Sequence, residues 1–225
     1  MSVGLVIVSH STKLAEGVVE LAGQMAPEVR IAAAGGLPDG GIGTDFERVS
    51  AALSDADTGD GAVVLYDLGS AQMVAELAVE SLGDPETARV VEAPLVEGAV
   101  AAAVSAQGGN DKATVAAAAE SAGSGVEPGA AAETPAGDEI TEELELTNEV
   151  GLHARPAALL ARSLNGLQAS MAVASGDNEA DAASVLGVMG LGARKGDRIT
   201  LRANGPDAQQ AIDRVLDLAK RNFDE

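Results

Sequence analysis

Two histidines, His10 and His153, stand in a chain of 225 residues that has no cysteine and no tryptophan. A largely neutral imidazole can serve as nucleophile, acid or base near pH 7, so chemistry is sought first at these two positions. His10 lies where the apolar run VGLVIV gives way to Ser9, Ser11 and Thr12. A helix starting there offers unpaired N–H groups and partial positive charge to an anion, and the hydroxyls add donors. Asp67 and Ser70 mark a second strand-to-helix junction, and Gly43-Thr44-Asp45 a third. A carboxylate beside His10 would fix the proton on one ring nitrogen and leave the other free to attack. The plainer alternative is a histidine that closes a strand, with Asp67 capping the next helix.

His153 repeats the arrangement in another context. It is followed by Ala154, Arg155 and Pro156, and proline in the first turn of a helix loses no needed hydrogen bond. Arg155 adds a planar cation suited to a doubly charged oxyanion such as a phosphoryl group. A capping histidine beside a solvated arginine is the alternative, and it weakens because both histidines of the chain show the same surroundings.

Composition excludes several other chemistries. The 35 acidic residues outnumber 14 basic ones, a formal charge of −21, and aromatics make up 1% of the chain. Nucleic acid needs basic patches and stacking surfaces, and an anionic membrane would repel such a surface. No apolar run is long enough to span a bilayer, and the start lacks the basic flank of a signal peptide. Without thiols there is no disulfide framework or thiolate zinc site, and two distant histidines make no metal cluster. The expectation is a cytoplasmic protein with no metal, no nucleic-acid partner and no membrane.

The elements that must position the histidines read clearly. Apolar runs at 3–8, 29–34, 62–66 and about 88–92 alternate with helical patterns after Thr12, Asp45, Gly69 and Pro94, and a further alanine-rich helix fits 111–122. In the first helix Leu14, Val18, Leu21 and Met25 recur at helical spacing. Such alternation predicts an α/β domain with a doubly wound parallel sheet over 1–122. Its ligand crevice lies at the carboxyl ends of the strands, where His10 and Asp67 fall. Residues 123–139 are rich in Gly, Pro and acid with almost nothing to bury, which predicts a flexible linker. Residues 140–225 alternate apolar and polar positions in β-α-β-β-α-β-α order, with helices over 154–165, 184–190 and 206–221. That order predicts a small α+β open-faced sandwich. Of the net charge, residues 1–122 carry −13 (18 acidic, 5 basic), the linker −4 and residues 140–225 −4. The basic set Arg155, Arg162, Arg194, Lys195 and Arg198 belongs to the last segment.

The motifs resemble known families. GLHARPAALLA (151–161) is similar to the signature of the HPr phosphocarriers of the bacterial phosphoenolpyruvate:sugar phosphotransferase system, a resemblance extending over about 140–225. It implies that His153 accepts phosphate on Nδ1 and that Arg155 contacts it. It also implies that Ser184 occupies a position phosphorylated by a regulatory kinase in some bacteria. Residues 1–122 resemble the mannose-type enzyme IIA fold. VIVSHS (6–11), IGTD (42–45), DLGSA (67–71) and APLVEG (93–98) are similar to the DhaM family of dihydroxyacetone kinase phosphotransferase subunits, which implies that His10 is a phosphocarrier. Asp67, Ser70, Ser11 and Thr44 are then the expected phosphate-stabilising neighbours.

That resemblance implies phosphotransferase activity as a relay. Phosphate passes from phosphoenolpyruvate through enzyme I to His153, then to His10, then to ADP held on the kinase subunit DhaL, and the ATP formed serves DhaK. No cofactor is expected on the chain itself, phosphoenolpyruvate being the ultimate donor. A homodimer through the N-terminal domain is expected, with transfer within or between chains. Some members add an enzyme I-like domain, for which this chain has neither the length nor a third histidine, so an external enzyme I is expected. The alternatives are a IIA component of a mannose-type transporter, a signalling module read by its phosphorylation state, and a small-ligand binding protein using the α/β crevice.

Overall fold

The computed structural model describes residues 2–122 and 139–224. The expected linker, apart from Glu139, lies outside the described residues. The chain divides into two units, Met1–Ser124 and Gly125–Glu225.

The first unit runs β1 (Gly4–Ser9), α1 (Thr12–Met25), β2 (Ile31–Gly35), α2 (Phe46–Ala56), β3 (Ala62–Tyr66), α3 (Gly69–Glu80), β4 (Ala88–Val90), α4 (Leu95–Gln107) and α5 (Lys112–Ser121). Its sheet has the order β2-β1-β3-β4, and every pairing is parallel. Every residue of β1 is buried, because both faces of the sheet are covered. Leu5 and Ile7 join a core with Ala15, Val18 and Ala22 of α1 and Ala99, Ala102 and Ala103 of α4. Val6 and Val8 point the other way, into a core with Val49 and Leu53 of α2 and Ala71 and Ala75 of α3. This two-sided burial explains why the strand reads as an unbroken apolar run.

In α1 the buried stripe is Ala15, Val18, Ala22 and Met25, while the expected Leu14 and Leu21 are exposed. The two stripes share Val18 and Met25 and differ by a rotation of one residue, so apolar spacing cannot separate them. Packing decides: the alanines of α1 face those of α4, where small side chains let helices approach closely.

From β1 the chain moves to β2 on one side, then crosses back to β3 on the other. The order therefore reverses between β1 and β3, and a crevice opens at their carboxyl ends. His10 follows β1 by one residue and Asp67 follows β3 by one.

The second unit runs β5 (Ile140–Glu145), α6 (Ala154–Ser163), β6 (Ser170–Ser175), β7 (Asn178–Asp181), α7 (Val185–Gly190), β8 (Arg198–Asn204) and α8 (Ala208–Lys220). Its antiparallel sheet has the order β5-β8-β6-β7. Met171, Val173, Ile199, Leu201 and Ala203 are buried, as are Ala211, Ile212 and Val215 of α8 and Leu160 of α6. The last helix starts two residues later than Pro206 suggests. Asp207 stands at its N-cap without a side-chain capping bond, because its carboxylate accepts from the Gln168 N–H at 2.7 Å.

Candidate functional site

The carboxyl ends of β1 and β3 bring His10, Asp67 and Ser70 together. Asp67 Oδ1 lies 2.9 Å from His10 Nδ1, and Oδ2 accepts from the His10 backbone N–H at 2.9 Å. The Ser9 hydroxyl donates to the same Oδ2 at 2.8 Å. An ionised carboxylate only accepts, so the ring carries its proton on Nδ1. The lone pair on Nε2 then faces the Ser70 hydroxyl at 2.8 Å. Side-chain exposure is 21% for His10 and 12% for Asp67, so the pair is sheltered while Nε2 points to an exposed serine. Partial burial pushes the Asp67 carboxyl up. The bonds from the His10 backbone, the His10 ring and Ser9 outweigh it and hold the group below its ordinary value.

Asp67 does not cap α3, as the sequence allowed. Leu68 is the N-cap and offers no capping side chain, because the carboxylate is committed to Ser9 and His10. The first N–H groups of a helix have no partner within it, and those of Gly69 and Ser70 stand at the start of α3, where the Ser70 hydroxyl meets Nε2. They belong to the second strand-to-helix junction that Asp67 and Ser70 mark in the sequence.

The other hydroxyls near His10 have structural duties. Ser9 is fully buried, and its oxygen accepts from the Ser11 N–H at 3.0 Å while its proton goes to Asp67. Thr12 donates to the Gly35 carbonyl at 2.9 Å. Neither is the phosphate donor the sequence suggested. Ser11 is the N-cap of α1, accepting from the Leu14 N–H at 3.4 Å. Thr44 is half-buried between Gly43, whose N–H donates to the His10 carbonyl at 2.9 Å, and Asp45, the N-cap of α2. The turn therefore touches the His10 backbone, as a wall of the crevice should.

His153 sits differently. It is the N-cap residue of α6 with φ −76° and ψ −178°, its ring makes no capping bond, and the residue is exposed. Its carbonyl accepts from the Ala157 N–H at 2.9 Å. Pro156 has no N–H, so its place in the first turn of α6 leaves no donor of its own without a partner. Arg155 is exposed two residues beyond. The loop before His153 is held by backbone bonds, Leu152 N–H to the Ala193 carbonyl at 2.9 Å, and by the buried Asn148 amide donating to the Gly151 carbonyl at 2.9 Å. Two residues of the basic set in this segment are engaged with acids: Lys195 pairs with Glu149, and Arg198 lies 4.0 Å from Glu143. Ser184 is exposed and caps α7, accepting from the Gly187 N–H at 3.1 Å.

Among the described residues, no group of three or more His, Cys, Asp or Glu is arranged to hold a metal ion. No helix among them is long and apolar enough to cross a membrane.

Residues 4–116 match the model of the PTS system fructose IIA component family, and residues 140–221 that of the PTS HPr component phosphorylation site. The chain is 39% identical to the phosphoryl donor subunit DhaM of the PEP-dependent dihydroxyacetone kinase of Pantoea ananatis, over 99% of this chain and 51% of that protein. It is 42% identical to the DhaM subunit of PEP-dependent dihydroxyacetone kinase 1 of Listeria innocua, over 46% of this chain and 82% of the relative. The second half resembles the phosphocarrier protein NPr of Shewanella violacea, 37% identical over 38% of this chain and 94% of NPr. The chain thus spans about half the length of the longer curated relatives it matches. With one half matching an enzyme IIA model and the other an HPr model, and with most of a shorter relative's length covered, the chain belongs to the DhaM family of phosphoryl donor subunits.

Proposed function

We propose that the chain relays phosphoryl groups through two phosphohistidines, from enzyme I to His153, then to His10, then to ADP on the DhaL subunit of a dihydroxyacetone kinase. Phosphoenolpyruvate is the ultimate donor, no cofactor resides on the chain, and the ATP formed on DhaL serves DhaK. In this reading the protein acts in the cytoplasm and pairs as a dimer through its first unit. Residues 123–139 tether one carrier to the other.

The observation that carries the reading is the His10 ring, held by a carboxylate at Nδ1 with Nε2 turned toward a serine hydroxyl and a helix N-terminus. The His10 Nε2 lone pair attacks phosphorus on phospho-His153. The new N–P bond forms as the old one breaks, and the bonding pair returns to the His153 ring. The Nδ1 proton stays on His10, so the phosphorylated ring is a cation balanced by Asp67. Ser70 and the N–H groups of Gly69 and Ser70 turn to the transferring oxygens, where fixed donors favour the charge that develops. At His153 the start of α6 and the Arg155 guanidinium do the same work.

Reconstitution tests the proposal. The chain is mixed with phosphoenolpyruvate and enzyme I, and acid-labile phosphate is mapped to His10 and His153. ADP-loaded DhaL, DhaK and dihydroxyacetone are then added. Phosphate should appear on both histidines and discharge into dihydroxyacetone phosphate. A His153→Ala chain should not charge, and a His10→Ala chain should charge only at His153. Mixing these two variants distinguishes the routes, since activity returns only if phosphate crosses between chains. Phosphorylated protein that never discharges to the kinase would overturn the assignment of its acceptor.

A further inference from the structure

Residues 1–122 contain five basic side chains against eighteen acidic ones. Three of the five have partners away from His10. Arg30 pairs with Asp55, Arg89 with Glu120, and Lys112 donates to the Glu86 carbonyl. Lys112 forms no ion pair among the described residues, and neither do Lys13 and Arg48. Lys13 and Arg48 both stand in the first turn of a helix, α1 and α2, at the sheet edge that bears His10. In a unit so rich in carboxylate, a half-buried arginine left without one calls for another negative charge.

Arg48 is the better fixed of the two. Its Nη1 donates to the Gly35 carbonyl at 3.0 Å, the same oxygen that accepts from Thr12. Gly35 pairs in register with Ser9, and the Gly36 N–H donates to the Ser9 carbonyl at 3.1 Å. Val49, next to Arg48, and Ala71, next to Ser70, belong to the same core on the same side of the sheet. The guanidinium therefore sits on the β2 side of His10, as Asp67 sits on the β3 side. One N–H is used on Gly35, and the others remain to act as donors.

We propose that Arg48 is the fixed cation of the His10 site, favouring the state in which His10 Nε2 carries the phosphoryl dianion. The inference rests on the reading of His10 as a carrier. When the N–P bond forms at Nε2 and the donor's N–P bond breaks, the ring cation is matched by Asp67 and the incoming dianion by Arg48. A partly desolvated charge acts over longer range than one in water, so Arg48 works without displacing the serine and backbone donors. It is a positioning and electrostatic residue, acting on the carrier state through its field.

A plain tether to Gly35 is the competing role, and two substitutions separate it from a charge. Arg48→Gln keeps an N–H donor for Gly35 and removes the charge, and Arg48→Lys keeps both. Each full-length variant receives less than one equivalent of phosphoenolpyruvate with enzyme I, and phosphorus NMR reads the ratio of phospho-His10 to phospho-His153. R48Q should lower that ratio about tenfold, as the loss of one nearby charge implies, and R48K should restore most of it. Arg48→Met supplies a second neutral variant should the Gln chain fail to fold. An R48Q or R48M ratio equal to that of the unsubstituted chain overturns the proposal, as does an R48K ratio as low as theirs. If the unsubstituted chain never carries phosphate on His10, the relay itself fails, a result distinct from indifference to Arg48.

Discussion

The Asp67 carboxylate grips His10 at two points, ring Nδ1 through Oδ1 and backbone N–H through Oδ2, each at 2.9 Å. The first contact selects the tautomer and the second fixes where the ring begins. Asp67→Asn keeps the size but offers a neutral amide, which no longer compels Nδ1 to hold the proton and cannot balance a phosphorylated, cationic ring. Transfer through His10 should fall by about 10²–10³, the range seen when one fixed electrostatic partner is removed from a reacting centre. Phosphorylation of His153 by enzyme I should proceed as before. Rapid-quench measurement of label arriving at each histidine checks both statements.

The same pair ties stability to pH. The carboxyl of Asp67 lies below its ordinary value in the folded unit, so the unfolded chain binds the proton more readily. Its contribution is therefore full above the unfolded pKa and is lost as pH falls through the lowered folded one. Denaturation of the first unit should show a constant gap between the unsubstituted protein and Asp67→Asn near neutrality, narrowing in the acid range below about pH 4, the ordinary carboxylate value. A gap that widens as pH falls would contradict the assignment.

Ser70 meets Nε2 from an exposed position, so removing its hydroxyl costs little folding energy. Ser70→Ala should melt with the unsubstituted protein and slow transfer through His10 at least roughly tenfold, since a hydrogen bond to a charged group contributes about 1.5 kcal/mol or more. The remaining rate belongs to the backbone donors of α3. A variant with unaltered transfer would mean that the hydroxyl merely occupies the place of the incoming phosphoryl group.

Much of this site was legible in the residues. Asp67 and His10 each follow a buried parallel strand by one position, and strand ends in such sheets converge on a crevice. What could not be read was how each polar group is spent. Ser9, Ser11 and Thr12 look alike as hydroxyls beside a histidine, yet one is buried under Asp67, one caps a helix and one holds a neighbouring strand end. The Ser9 and Thr12 duties follow from contacts 58 and 23 residues apart in sequence, which local pattern does not encode. The facing of α1 escaped for a related reason, since Leu14 and Ala15 lead stripes of equal spacing and the neighbouring helix chooses between them. The two units themselves showed in composition, because a sheet covered on both faces and one covered on a single face leave different alternations along the strands.

The loop that presents His153 depends on a glycine in a way that can be tested directly. Gly151 has φ +69°, and a Cβ built there would lie 2.2 Å from the Ala193 carbonyl oxygen and 2.6 Å from Arg194 Cα. Both obstacles are backbone, so no side-chain rotation relieves them. The next residue bonds to that same carbonyl through the Leu152 N–H, so the chain must pass close to it for His153 to reach the start of α6. A left-handed backbone alone costs a non-glycine residue roughly 1–2 kcal/mol, and the clash adds to it. Gly151→Ala should therefore destabilise the second unit by about 2–4 kcal/mol, at the severe end for single substitutions. It should also slow phosphorylation of His153 in the fraction that remains folded, because the loop can admit the methyl group only by moving the histidine. Denaturant titration followed at the second unit, with the initial rate of labelling by enzyme I, measures the two effects. Unchanged stability would mean that the loop has another path past Ala193, and labelling at the normal rate in a destabilised but folded chain would show that His153 is positioned by α6 rather than by the loop.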